Sequence, residues 1–248
     1  MRAILLALLA AAALTAGCGT GDLDGAPTSG PEGLLLKVES LPGGSRPYRL
    51  PPYIALALYE DGRVLVPGPQ IEIYPGPVLP ELQESRLSSE ALESLLDDVR
   101  ATGVLEAGSG DPPAPGAGGL VVTAFLDGER TVVALDAANQ KLGELLAQIP
   151  VTGERPYEPE ALAVFAAPLE ELPVPPDGEI GPKPVTLDWP AGALSAGCQV
   201  VRGTELEALL PVARRAHELT FWRSGGALHT VAFRPLVPGE STCADIGL

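Results

Sequence analysis

Side chains that commonly carry chemistry are scarce in this chain of 248 residues. It has three cysteines, Cys18, Cys198 and Cys243, and two histidines, His217 and His229. A cysteine thiolate can act as a nucleophile, a metal ligand or a disulfide partner, and an imidazole can act as a base or bind zinc. Few positions are therefore available for chemistry based on a thiol or an imidazole.

The familiar reactive motifs are missing from the sequence. There is no Gly-rich phosphate loop, no HExxH and no CxxC, and ALSAG at residues 193–197 lacks the first glycine of a nucleophile elbow. His217 and His229 with a carboxylate would make a zinc site, and Ser224, His229 and Asp245 would make a hydrolytic set. Because the spacing supports neither arrangement, we predict no catalytic residue, no metal and no cofactor.

The beginning of the chain has the pattern of a secretory signal. Arg2 is followed by 15 apolar or small residues, 3–17, without a charge. A helix needs roughly 18 to 20 apolar residues to cross a bilayer, so this run is too short to span one. A basic start, a short apolar segment and small residues at its end predict a signal peptide over residues 1–17.

The end of that run resembles the lipobox of bacterial lipoproteins. The residues are Thr15-Ala16-Gly17-Cys18, with Thr15 where leucine is most common. The resemblance implies cleavage before Cys18, a diacylglyceryl group on its sulfur, and a protein held by lipid on the outer side of a membrane. Two acyl chains are sufficient for stable anchoring. Cleavage followed by release is the alternative.

A Gly-, Pro- and Ser-rich stretch follows Cys18 and lacks apolar periodicity. We therefore expect residues 18–33 to form a lipid-anchored flexible tether, which spans about 20 Å at this length and composition.

The lipid attachment leaves Cys198 and Cys243 as the two remaining cysteines. Outside the cytoplasm a disulfide is the default state of such a pair, so the two are predicted to bond to each other. Two free buried thiols are the alternative.

The charge balance limits the partners. The chain has 16 basic and 32 acidic residues and a formal net charge of −16. A nucleic-acid-binding protein needs a basic stripe, so nucleic acid is excluded as a partner. Repulsion also disfavours a body that lies flat on anionic lipid. The acidic surplus favours solubility, and binding of a basic partner or a cation is the alternative.

The hydrophobic periodicity predicts an α+β fold of mostly antiparallel sheet, with two or three amphipathic helices packed on one face. Helices are expected at residues 88–102, 139–149 and 204–219, the last with a capping box of Thr204 and Glu207. Hairpins are expected around the turn pairs at residues 61–62, 127–128 and 225–226.

The predicted elements divide the body in two. We expect an α+β unit over residues 34–169, a Pro-rich acidic loop or linker over 170–183, and a smaller helix-hairpin unit over 184–248 packed on the first. Residues 92–100 align with residues 206–214 without gaps, and a hairpin follows each. Two related helix-plus-hairpin units are one explanation, and chance similarity of two amphipathic helices is the other.

One segment concentrates basic and aromatic side chains within this acidic protein. It contains Arg214, Arg215, Phe221, Trp222 and Arg223. These residues form either a contact site for an anionic partner or an internal hub of salt bridges, and the internal role is favoured.

Three stretches of the body, VPGPQIEIYPGP (66–77), PYEPEAL (156–162) and LLPVARRAHELTFWRSGG (209–226), are similar to a group of uncharacterised lipoproteins from high-GC bacteria. This resemblance implies no activity and supplies no catalytic residue.

The leading hypothesis is a non-enzymatic envelope lipoprotein, which acts as a binding or assembly module, contacts the membrane through lipid on Cys18, and has an unknown envelope protein as partner. The alternatives are an extracytoplasmic enzyme, such as a hydrolase of envelope material, and solute or ion capture for a transporter.

Overall fold

The computed structural model describes residues 29–43, 51–69, 73–106, 117–136, 139–149, 153–170 and 182–246. The predicted signal peptide, Cys18 and the tether up to residue 28 lie outside the described residues. So do residues 171–181 of the expected linker.

A seven-stranded antiparallel sheet takes up the first part of the body. Its strands are β1 (Leu34–Gly43), β2 (Tyr53–Tyr59), β3 (Arg63–Pro67), β4 (Leu82–Arg86), β5 (Ala117–Leu126), β6 (Glu129–Leu135) and β7 (Arg155–Pro156). The order is β6-β5-β1-β2-β3-β4-β7, so β1 pairs along its length with β5 on one side and with β2 on the other.

A second sheet has five strands. They are β8 (Ala161–Leu169), β9 (Val185–Asp188), β10 (Gly197–Arg202), β11 (Thr220–Ser224) and β12 (Ala227–Pro235). The order is β10-β8-β12-β11-β9, and β9 runs parallel to β11 while the other pairs are antiparallel. The prediction of mostly antiparallel sheet is therefore confirmed.

The described residues contain three α-helices: α1 (Ser89–Ala101), α2 (Gln140–Ala147) and α3 (Gly203–Ala213). Ser88 caps α1 by accepting a hydrogen bond from the backbone of Ala91, and Asn139 caps α2 in the same way. No described helix has the length and apolar character needed to cross a membrane.

The third helix differs from its prediction at both ends. It begins at Gly203 with no side-chain cap, so the expected capping box at Thr204 is wrong. It ends at Ala213, two residues after Pro211, rather than at residue 219. The N–H groups of Arg214 and Ala216 still bond to carbonyls of the helix, and beyond them the N–H of Glu218 donates to the carbonyl of Gly76 in the first part of the chain.

The three predicted hairpins are present, as β2–β3, β5–β6 and β11–β12. In the last two turns both central residues have positive φ: Asp127 and Gly128 at 55° and 78°, and Gly225 and Gly226 at 58° and 84°. A two-residue turn of this kind matches the right-handed twist of the strands that it joins.

Each sheet contributes one face to an apolar cluster that includes helix residues. In the first sheet, Leu36 and Val38 belong to a cluster with Leu95 and Val99 of α1 and Leu142 of α2. In the second sheet, the cluster comprises strand residues, Trp189 and residues of α3: Leu162, Val164, Val231, Phe233, Leu206 and Leu209.

The opposite faces of the sheets share the C-terminal segment, residues 236–246. Val237 packs with Ile54 and Tyr59 of the first sheet. Leu236 and Ile246 pack with Ala161 and Ala163 of the second sheet. The segment therefore contacts both sheets.

The structure differs from the expected division of the chain. β8 pairs with β10 and β12, so residues 161–169 belong to the second sheet rather than to the first unit. The expected Pro-rich acidic loop or linker at 170–183 thus lies in the chain between β8 and β9, two strands of one sheet. The two hairpins of the possible internal repeat, β5–β6 and β11–β12, also join their sheets differently. The leading strand β5 of the first hairpin pairs with β1, whereas the trailing strand β12 of the second hairpin pairs with β8.

A disulfide joins Cys198 of β10 to Cys243 in the C-terminal segment, as predicted. The two Cα atoms are 6.1 Å apart, and the residues are 45 positions apart in the chain. The bond ties the C-terminal segment to the strand at one edge of the second sheet.

We expect the double substitution Cys198→Ser with Cys243→Ser to lower the free energy of unfolding by about 4 kcal/mol, because an unfolded chain without the bond gains the entropy of an open loop of this size. Urea denaturation of both proteins measures the change. The wild-type protein unfolded with a reductant is the control and should lose a similar amount. An unchanged midpoint in the variant would contradict the stabilising role.

Candidate functional site

Four charged side chains are buried together between the two sheets, and we call them the charge cluster: Lys37, Glu39, Arg234 and Glu240. Arg234 donates to Glu39 at 2.6 Å and to both oxygens of Glu240 at 2.6 and 2.8 Å. The Lys37 ammonium lies 2.9 Å from Glu39 and 2.8 Å from Glu240. Two cations therefore face two anions, and the cluster is electrically neutral.

The strands position these charges by simple alternation. Lys37 and Glu39 lie on the face of β1 opposite to Leu36 and Val38, which point to the apolar cluster with α1. Arg234 is 1% exposed and also donates from Nε to the backbone carbonyl of Pro52 at 3.0 Å. The first sheet, the second sheet and the C-terminal segment thus meet at one guanidinium.

The charge cluster keeps the Glu240 carboxylate ionised. Burial alone would raise the pKa of Glu240, but the hydrogen bonds and charges of Arg234 and Lys37 outweigh burial, so the pKa lies below its ordinary value. The backbone N–H of Val237 also donates to Glu240 at 3.1 Å. An ionised carboxylate whose oxygens already accept these bonds is a poor general base, so the geometry indicates a structural role.

Two tyrosines complete the contacts around the C-terminal segment. The Tyr59 hydroxyl donates to the carbonyl of Pro238 at 3.0 Å, and the Tyr157 hydroxyl donates to the carbonyl of Leu236 at 2.9 Å. Burial raises the pKa of both hydroxyls above the usual range, which keeps them protonated as donors.

We expect Glu240→Gln to lower the free energy of unfolding by about 3 kcal/mol at neutral pH, because it leaves the buried cluster with two cations and one anion. An unfolded glutamate titrates near pH 4.3 (about the peptide value). Since the folded pKa is lower, the contribution of Glu240 is complete above that pH and is lost as the pH falls through the folded pKa. The gap between wild type and variant should therefore close in acid.

Chemical denaturation at a series of pH values measures this gap. Asp188→Asn is the control, because Asp188 pairs with Arg223 at an exposed site where such pairs contribute less than about 1 kcal/mol. Equal losses of unfolding free energy in both variants at neutral pH would show that the charge cluster stabilises the fold no more than an exposed ion pair does.

The structure separates the five residues of the predicted contact site. Phe221 and Trp222 are buried, and Trp222 is fully enclosed beside Trp189 and Phe233, with ring centroids 5.4 and 5.8 Å away. These two aromatic rings are therefore part of the interior and not of a surface.

The three arginines of that segment are exposed and have different partners. Arg214 forms an ion pair with Glu158, and Arg223 forms one with Asp188 at 3.2 Å. Arg215 donates to the carbonyl of Pro211 at 3.1 Å. The arginines hold neighbouring segments together rather than converging on one anion site.

The structure gives separate hydrogen-bond partners to Ser224, Asp245 and His217, three of the residues of the hydrolytic and zinc arrangements. The Ser224 hydroxyl accepts from the backbone of Leu194, and Asp245 accepts from Ser241 and Thr242 in a capping box. His217 accepts from the backbone of Leu219. Within the described ranges, no group of three or more histidine, cysteine, aspartate or glutamate side chains has the arrangement of a metal site.

Parts of the three stretches singled out in the sequence, at 66–77, 156–162 and 209–226, contact one another or their direct neighbours. The backbone of Val78 donates to the carbonyl of Ala216 at 3.3 Å, and that of Glu218 donates to Gly76 at 2.9 Å. Pro77 and His217 form an antiparallel bridge. The loop at 73–80 is therefore fixed against residues 216–218, and the Arg214–Glu158 ion pair joins a third stretch to the same segment.

This loop, residues 73–80, is called the apolar loop. Ile73 is 58% exposed and Tyr74 is 71% exposed. Hydrogen bonds hold the following residues of the loop, so the two side chains are displayed from a fixed base. Prolines lie on both sides of Ile73 and Tyr74 in the sequence, and a proline cannot donate to a strand ladder.

The structure also has an open groove of about 440 Å³ between α1 and α2. Its lining includes carboxylates, a hydroxyl, an amide and two leucines: Glu90, Asp98, Ser94, Gln148, Leu95 and Leu145.

Comparisons with protein-family models, curated protein sequences and solved structures found no match to this chain. No relative therefore supplies an activity, a ligand or a partner.

Proposed function

We propose that this protein is a lipid-anchored, extracytoplasmic binding module of the cell envelope, without enzymatic activity, that docks a partner protein through the apolar loop. Lipid on Cys18 holds it at the membrane, and the tether separates the folded body from the bilayer surface. The helices serve as outer cover for the sheets.

Two independent features support the location. The first is the signal-like N-terminus with its lipobox resemblance at residues 15–18. The second is the Cys198–Cys243 disulfide, since structural disulfides persist in oxidising compartments outside the cytoplasm.

The exposure of Ile73 and Tyr74 is the observation that carries the docking role. Tyrosine is enriched at binding hot spots because it presents a large contact area and a hydroxyl with few rotatable bonds. A base fixed by the bonds of Gly76 and Val78 reduces the conformational entropy lost on binding. Neighbouring Pro75 and Pro77 restrict the backbone further.

The anchor is tested by growing cells with radiolabelled fatty acid. We expect the wild-type protein to take up label and Cys18→Ala to take up none, because the thioether needs the cysteine sulfur. Cys198→Ser is the control and should stay labelled. Label in the Cys18→Ala protein would contradict the proposed attachment.

The docking surface is tested by placing a photocrosslinking amino acid at position 74 in native membranes. We expect a discrete adduct that disappears when Ile73→Ser is added, because the apolar contact is then lost. Val185, a 40% exposed apolar residue on β9, is the matched control position. The same adducts from both positions, or an adduct insensitive to Ile73→Ser, would overturn the assignment.

A further inference from the structure

The groove between α1 and α2 has features of a small-molecule site, and we propose that it binds elongated aliphatic cations of the polyamine class. Its volume of about 440 Å³ lies in the range of ligand sites in proteins. This site is separate from the apolar loop, and neither assignment depends on the other.

Two carboxylates mark the length of the groove. Glu90 and Asp98 both line it from α1, and they are eight residues apart. An α-helix rises 1.5 Å per residue, so their Cα atoms are separated by about 12 Å along the axis. Such a spacing suits two ammonium groups at the ends of a methylene chain and is too long for a compact dication to bridge.

The groove between the carboxylates is suited to methylene groups. Leu95, which is 5% exposed, and Leu145 contribute apolar surface from the two helices. Ser94 lies between the carboxylates on α1, and Gln148 contributes an amide from the end of α2. An aliphatic chain on the leucines with its nitrogens near oxygen acceptors would satisfy both kinds of surface.

The local charges favour a cation from solution. Neither Glu90 nor Asp98 forms an ion pair with any residue in the described part of the chain, whereas their neighbour Asp97 pairs with Arg100 at 3.1 Å. Arg100 also contacts Asp127 and so is held away from the groove carboxylates. The net charge of −16 adds a long-range attraction for cations.

Calorimetric titration of the full-length protein in detergent with spermidine tests this proposal. We expect saturable binding at one site, weakened by added salt because exposed charges are screened. Glu90→Gln and Asp98→Asn should each weaken binding about threefold, and the double variant about tenfold. Circular dichroism of each variant establishes that the helices remain folded.

Glu93→Gln is the matched control. Glu93 is exposed on the same helix but does not line the groove, so its removal changes the net charge equally and should leave spermidine affinity unchanged. Ethylenediamine and Mg²⁺ should bind more weakly than spermidine, because they cannot span the two carboxylates. Equal binding of these short dications, or an equal loss in Glu93→Gln, would overturn the proposal in favour of diffuse attraction to acidic surface.

Discussion

Arg234 makes the contact on which the packing of the two sheets depends. Its guanidinium is buried, and it reaches Glu39 of the first sheet, Glu240 of the C-terminal segment and the carbonyl of Pro52. Removing water from a charge is costly, so these partners must be present together for the sheets to close. Lys37 pairs with Glu39 and supplies the second positive charge, so that the two carboxylates are balanced by two cations. The packing of the two sheets against each other therefore depends on a buried polar cluster with apolar clusters beside it.

The local elements of the fold were predictable because local chemistry determines them. Ser88 and Asn139 cap their helices, and the Asp-Gly and Gly-Gly pairs make the expected turns. The assignment of β8 to the second sheet was not predictable, because nothing within residues 161–169 indicates which distant strands they will pair with. The parallel strand β9 was missed because its four residues are too few to show an apolar pattern.

The charge cluster was also beyond sequence reasoning. Lys37 and Glu39 alternate with Leu36 and Val38, a pattern that ordinarily indicates a strand with one solvated face. Their partners lie about 200 residues away in the chain, at separations of 195 and 203. By contrast, the pairing of Cys198 with Cys243 followed from the chemistry expected of the compartment. The sequence drew attention to Arg214, Arg215 and Arg223 as a basic segment. Only the fold shows that each of them has a different partner.

The position of β1 has a mechanical consequence for the proposed lipid-anchored protein. The chain enters the body at residues 29–33 and continues directly into β1, which is hydrogen-bonded to β5 and β2 on its two sides. A pull along the tether would load these two ladders in shear, so that many hydrogen bonds share the force at once. The carbonyl of Pro31 also lies against Gly239, where any side chain would collide with it at 2.8 Å. Under the proposed lipid attachment, the body would transmit tension from the anchor into β1, a strand that is paired on both sides.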